Sequence, residues 1–314
     1  MKALVSLDRH LTRDDLCLLE CLGLDVDCIS NEEETPVENP EQYDILIVGL
    51  LLKYTPIESF TNLKYIQLMT AGFDYLTSKM DYIREKGIVW HRAEGIHGAP
   101  IAEHAICGLL DIYRKRRFFD DAQRKHIWTH TAPGTSNGDF YECSGRRAAI
   151  IGAGMIGTEI AKRLKAFGCE VTGVARTAGP REGFDAVYAT ESLDDVLKTA
   201  DIVILSLPNN SETRHIINAE RIGLMKDDAV FINIARGALV DQQALIRALQ
   251  AGKFKGAVLD VFEEEPLPAD SPLWDMENVI ITGHLAGHGD RKKERFVIRM
   301  EKNLKDFLNH NSVD

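Results

Sequence analysis

Residues 148–168, AAIIGAGMIGTEIAKRLKAFG, run from a short apolar stretch through Gly152-x-Gly154-x-x-Gly157 into a helix-periodic segment. One arrangement gives each glycine a physical job. The first permits a tight turn, the second lets the backbone approach a pyrophosphate, and the third brings the helix close to the strand. The helix N-terminus then points its unpaired N–H groups at the anion. A lone GxGxxG is a weak signal. Here a further strand-like run at 170–174 supplies the strand–helix–strand context that gives it meaning. The chain is therefore expected to bind a dinucleotide through Gly152, Gly154 and Gly157, with Met155 and Ile156 opening the helix.

Similar alternation fills most of the chain. ALVSL (3–7), YDILIVG (43–49), LKYIQLM (63–69) and GIVWHRA (87–93) read as strands separated by turn or helix signals. A second series follows from Arg146: AAIIG (148–152), EVTGV (170–174), DIVILSL (201–207), AVFINI (229–234), GAVLDVF (256–262) and NVIIT (278–282). This succession predicts an α/β chain with parallel sheets, and 314 residues suffice for two domains with separate cores. Pro100 is expected to open one long helix, PIAEHAICGLLDIYRKRRFFDDAQRK, whose basic run Arg114 to Arg117 reads as a solvated helix end or a dimer contact. Residues 129–145 read as a surface loop. Ser192 with Asp195 predicts a capping box, Asp241 an N-cap, and Gly252 a position just past a helix end. The tail 290–310 reads as an amphipathic helix with Phe296, Ile298, Met300, Leu304 and Phe307 available for packing.

Composition limits the partners. With 37 basic against 48 acidic residues, the net charge of −11 disfavours nucleic acid and anionic membranes. No apolar stretch approaches the roughly 18 residues of a membrane span, and MKALVSLDRH enters a strand-like run directly, so a cytoplasmic location is expected. The six cysteines (17, 21, 28, 107, 143 and 169) form no CxxC pair and read as free, buried thiols. No metal site is expected. His126 and His130, spaced i, i+4, read as surface or interface residues.

Nicotinamide cofactors differ at the ribose 2′ position, and an NAD site places a carboxylate about 20 residues beyond the glycines. VTGVARTAGPR instead offers Arg176, 19 residues after Gly157, followed by Thr177. A guanidinium pairs with a 2′-phosphate that a carboxylate would repel, so NADP(H) is expected over NAD(H).

Three predicted strands each run into one reactive side chain: AVFINIAR into Arg236, AVLDVFEEEP into Glu265, and VIITGH into His284. Ligands bind at that edge of an open α/β sheet. Arg236 presents a planar fork suited to a substrate carboxylate. His284 can protonate a carbonyl oxygen as hydride reaches the carbon. A carboxylate beside the ring, which Glu265 can supply, favours the imidazolium and orients it.

At these residues the chain resembles the D-isomer-specific 2-hydroxyacid dehydrogenase family, over essentially its whole length. The marks are IIGAGMIG, LPNNSET (207–213), NIARGALVD (233–241), GAVLDVFEEEPLP (256–268) and ITGHLAG (281–287). The resemblance implies that Arg236 binds substrate, that Glu265 rather than Glu263 or Glu264 pairs with the catalytic histidine, and that His284 is the acid/base. It also implies that Asp260 holds the nicotinamide carboxamide and that backbone N–H groups of Ala71 and Gly72 bind the substrate carboxylate. Further cofactor contacts are implied at Pro208, Thr213, Ile234, Ala235 and Ala286. The implied fold is two Rossmann/flavodoxin-like parallel-sheet domains with an active-site cleft between them. Residues 1–97 with 288–314 would form the substrate domain, and 98–287 the dinucleotide domain. Family members are usually homodimers, built through the helix after Pro100. Gly283 stands where the family has Pro, which leaves the main chain freer before His284, and HRAEGIHGAP (91–100) lacks the family's Asn and Pro pattern.

The resulting expectation is an NADPH-dependent reductase of a small 2-keto acid, giving the D-2-hydroxy acid. Formate oxidation is disfavoured by Glu265, where that branch carries Gln. Phosphoglycerate oxidation is disfavoured by the cofactor signature. The alternative from another class is an NAD(P)-sensing, corepressor-like binding protein on the same fold. The keto acid's side chain is expected to meet Leu50 to Lys53, Phe73 and His97.

Overall fold

A parallel strand covered by helices on both faces must be apolar along its whole length, and ILIV, IVIL, VFIN and GAVL are buried at every position. The computed structural model describes residues 1–7, 11–70, 72–130 and 135–311. It divides into two compact units, residues 1–97 with 289–314, and residues 98–288.

The first unit carries β1 (Lys2–Ser6), β2 (Asp25–Ile29), β3 (Ile45–Val48), β4 (Tyr65–Leu68) and β5 (Val89–His91), in the order β2-β1-β3-β4-β5. All neighbours are parallel, which is the flavodoxin-like order. Short helices α1 (Leu16–Cys21), α2 (Leu51–Tyr54) and α3 (Met80–Glu85) lie in its connections. Side chains alternate across the sheet. Ala3, Val5, Ile45 and Ile47 share one core with Phe296, Met300, Leu304 and Phe307 of the C-terminal helix. Leu4, Leu46, Val48 and Ile66 face another core.

In the second unit, α4 (Gly98–Tyr113) and α5 (Arg116–Arg124) precede β6 (Arg147–Ile151), α6 (Met155–Ala166), β7 (Glu170–Ala175), β8 (Ala186–Ala189), α7 (Leu193–Thr199) and β9 (Ile202–Leu205). Then come α8 (Ala219–Leu224), β10 (Val230–Asn233), α9 (Gln242–Gln250), β11 (Gly256–Leu259) and β12 (Val279–Ile281), with α10 (Lys292–Asn311) completing the chain in the first unit. The parallel order β12-β11-β10-β9-β6-β7-β8 reverses direction between β6 and β9. That reversal puts a ligand crevice outside their carboxyl ends.

Several expectations need correction. The helix opened by Pro100 begins at Gly98 and is two helices, because Lys115 takes a left-handed conformation (φ 54°). The break lets Arg117 donate to the Val279 carbonyl at 2.6 Å, so that residue is not simply solvated. β2 and β8 escaped the apolar-run reading because both are edge strands with exposed positions, aspartate and cysteine in β2 and Tyr188 in β8. Ser192 caps nothing, since the chain enters α7 through a 3₁₀ turn (φ −89°, ψ 3°) and Asp195 pairs with Lys198 at 2.9 Å. Cys17, Cys21, Cys28 and Cys107 are exposed, and only Cys143 and Cys169 are buried. Asp241 does cap α9, accepting from Ala244 N at 2.9 Å, and Gly252 takes the left-handed conformation expected past that helix (φ 71°). Among the described residues no helix is long and apolar enough to cross a membrane.

Candidate active site

The glycine loop lies where the strand order reverses. Gly152 follows β6 with φ 110°, and a Cβ there would stand 2.6 Å from the Ser206 carbonyl carbon, just past β9. A Cβ on Gly157 would come within 2.2 Å of Gly152 O, so only glycine lets α6 approach this closely. Nothing lies within 4 Å of where a Gly154 Cβ would be. Gly154 is the N-cap of α6, whose first N–H groups are available there. Open space at a helix N-terminus fits a pyrophosphate. Met155 is exposed, whereas Ile156 packs against the core.

Arg176 and Thr177 follow β7 and are exposed. Arg181 was not foreseen. Its guanidinium donates to the Ala153 carbonyl of the glycine loop at 2.5 Å and to Thr177 O at 3.1 Å, tying the loop to the end of β7. After β9, Thr213 closes its own loop, its hydroxyl donating to Pro208 O at 2.8 Å and accepting from Asn210 N at 2.8 Å. Asn209 Oδ1 in that loop is buried without a hydrogen-bond partner among the described residues.

Beyond β10, Asn233 Oδ1 accepts from Ala235 N and Asn233 Nδ2 donates to Arg236 O at 3.0 Å, shaping the turn that presents Arg236. Ile234 and Ala235 are buried, so only their backbone is available to a ligand. Gly237 lies against the backbone of the Glu265 loop. A Cβ there would stand 1.8 Å from the Phe262 carbonyl carbon and 2.4 Å from Glu263 N. Gly237→Ala is therefore expected to cost roughly 1–3 kcal/mol by overpacking. It should lower kcat as well, by parting the Arg236 turn from the Glu265 loop. Thermal melting and steady-state rates check both, and unchanged values would refute the contact's importance.

Beyond β11 and β12 the acid–base candidates meet. Glu265 Oε2 lies 2.7 Å from His284 Nδ1, and its Oε1 accepts from Phe262 N at 3.0 Å, so both carboxylate oxygens are fixed. His284 has φ 58°, a strained choice for a non-glycine residue and a mark of functional turns. Asp260 holds that conformation. Its carbonyl accepts from His284 N at 2.7 Å. Its carboxylate, 1% exposed, accepts from Thr282 Oγ1 at 2.6 Å, Leu285 N at 2.9 Å and Ala286 N at 3.0 Å. The freedom that Gly283 introduces is thus offset by four bonds to one aspartate. His104 of α4 lies 3.0 Å from Thr282 Oγ1. Because that hydroxyl spends its one proton on Asp260, His104 Nε2 must carry the hydrogen it shares with Thr282.

Arg236, Asp260, Glu265, His284 and the glycine loop all lie in the second unit, at the carboxyl edge of its sheet. Gly72 belongs to the first unit, where its carbonyl accepts from Thr70 Oγ1 at 2.8 Å. Ala71 lies outside the described residues. His104 sits inside the AEHAI run, but its partner is 178 residues away, and no local pattern announces that.

A family model described as "D-isomer specific 2-hydroxyacid dehydrogenase, NAD binding domain" matches residues 106–286. A glyoxylate reductase of Pyrococcus horikoshii is 40% identical over 316 aligned positions, covering 98% of this chain and 93% of the relative. Among solved structures, an acyclic imino acid reductase in complex with NADPH and D-Arg superposes with a TM-score of 0.83 at 26% identity, over 99% of this chain and 98% of the other. A D-isomer specific 2-hydroxyacid dehydrogenase from Xanthobacter autotrophicus Py2, in complex with NADPH and MES, gives 0.76 at 30% identity, over 97% and 95%.

Proposed function

The chain belongs to the D-isomer specific 2-hydroxyacid dehydrogenase family, and from that premise we propose that it uses NADPH to reduce a small 2-keto acid to the D-2-hydroxy acid. It is an NAD(P)-dependent 2-hydroxyacid dehydrogenase. The observation that carries the finer reading is the Glu265–His284 pair at 2.7 Å, set on a strained turn at the sheet edge that also bears the glycine loop.

When bound, the cofactor supplies the hydride for the keto carbon. Gly152, Gly154 and Gly157 would hold its pyrophosphate, with Ala235 and Ala286 offering backbone nearby. Arg236 holds the substrate carboxylate through its fork. Glu265 accepts at Nδ1 of His284, which fixes the ring's tautomer and orientation. Nε2–H of His284 then donates to the carbonyl oxygen as charge develops there, the geometry that general acid catalysis needs. The relative and the neighbours described above carry the names of enzymes, which favours turnover over a sensing role. We assign a homodimer to the α4–α5 region, where Phe118, Ile127 and Trp128 are exposed.

NADP(H) preference rests on Arg176, exposed at the end of β7 where an NAD site would have a carboxylate. NADPH is also what the two structural neighbours described above hold, whereas a D-lactate dehydrogenase neighbour holds NAD. Purified protein assayed with NADPH and NADH, each against glyoxylate, hydroxypyruvate, 2-ketoisovalerate and phenylpyruvate, tests the whole reading. NADPH with at least one keto acid should give the highest kcat/KM. Arg176→Asp should shift the NADPH:NADH ratio of kcat/KM toward NADH by about tenfold or more, the worth of a lost charge-assisted bond. An unmoved ratio would remove Arg176 from the phosphate site.

A further inference from the structure

A second histidine–carboxylate pair lies two residues from the first. His215 Nε2 hydrogen-bonds Glu263 Oε1, and Glu263 is separated from Glu265 by one residue. His215 has φ 49°, so its backbone is held in a conformation that a histidine rarely adopts. What holds it is the segment after Arg236: His215 N donates to Ala238 O at 2.9 Å, Ile217 N to Leu239 O at 3.0 Å, and Asp241 N to Ile217 O at 2.9 Å. Glu263 is fixed from the same side, its N–H donating to Gln242 Oε1 at 3.1 Å in the first turn of α9. His215 therefore ties together the loop after β9, the Arg236 turn and the Glu263–Glu265 loop.

We propose that His215 and Glu263 are positioning residues that set the aim of Glu265 on His284. The inference rests on the reading of Glu265 and His284 as the acid–base pair. Besides the contact with His284, three hydrogen bonds among the described residues hold the Glu265 loop. Phe262 N binds Glu265 Oε1 within the loop, while Gln242 and His215 hold Glu263 from outside it. Only the last is a side chain whose own backbone is strained and zipped to the substrate-anchoring turn. His215 and Glu263 are both partly exposed, so an ion pair between them adds little to stability. Its value lies in geometry. Misplacing a catalytic group by about an ångström can cost on the order of 10²-fold, and a loosened staple should cost on the order of tenfold.

The test is steady-state kinetics with NADPH and glyoxylate, or whichever keto acid the panel above selects, for the wild type, His215→Ala, His215→Gln, Glu263→Gln and His215→Ala/Glu263→Gln, with His284→Asn as reference. Each variant is also melted thermally. His215→Ala and Glu263→Gln should each lower kcat about tenfold while KM for NADPH and the melting temperature stay near wild type. The double variant should be no slower than either single one, since they break the same contact. His215→Gln, which can still donate to Glu263, should recover most of the rate. Wild-type kcat in the single variants, with His284→Asn inactive, overturns the positioning role alone. A fall in kcat that follows the melting temperature and is not recovered by Gln also overturns it, in favour of a structural role. Full turnover in His284→Asn overturns the acid–base reading, and the positioning role with it.

Discussion

His284→Asn is expected to lower turnover by about 10²–10⁴-fold, the usual contribution of a general acid, while leaving NADPH binding intact. Asparagine suits the test because His284 sits at φ 58°. Asn is among the few residues that enter the left-handed region readily, through short polar contacts with its own backbone. The turn should therefore survive the substitution, its bonds from His284 N, Leu285 N and Ala286 N to Asp260 being made by the main chain. What is removed is the proton at Nε2 and the bond that Nδ1 shares with Glu265 at 2.7 Å. NADPH affinity, read by fluorescence titration, reports on the glycine loop and should not move. A rate within about tenfold of wild type would place the acid elsewhere.

The parts of the fold visible in sequence were those whose physics is local. Strands buried on both faces must be uninterrupted apolar runs, so β6, β9, β10 and β11 announced themselves, each to within a few residues of its ends. β2 and β8 did not, because an edge strand buries little and DVDCI alternates with aspartate. The glycine loop was legible since its spacing encodes steric needs. Arg236, Glu265 and His284 stood out because each follows a strand end. What supports them was not legible. Asp260 meets Leu285 and Ala286 across 25 and 26 residues, His104 meets Thr282 across 178, and His215 meets Glu263 across 48. Pairings at such separations follow from sheet order, which one sequence does not display. The break at Lys115 has the same origin, since the bond from Arg117 to Val279 O spans 162 residues.

Asp260→Ala should be the more damaging change to the molecule as a whole, and it separates two accounts of this aspartate. Family resemblance assigns Asp260 to the nicotinamide carboxamide, whereas among the described residues the hydrogen bonds of its carboxylate go to residues 282–286. Alanine would leave the N–H groups of Leu285 and Ala286 and the hydroxyl of Thr282 without their acceptor, in a turn where Ala286 is 3% exposed. The Ala286 bond is the buried one of the three, and an unsatisfied buried donor costs about 1–3 kcal/mol, so a loss of at least that size is expected. The strained His284 conformation would then relax and the imidazole would leave its register with Glu265, lowering kcat by about 10²-fold. Asp260→Asn should fall between, because its amide oxygen can still accept two of these donors while its NH₂ group opposes the third. If gripping the carboxamide were the only job of Asp260, KM for NADPH would rise while the melting temperature held. A large drop in melting temperature and in kcat, with NADPH affinity little changed, would instead make Asp260 the residue that builds the catalytic turn.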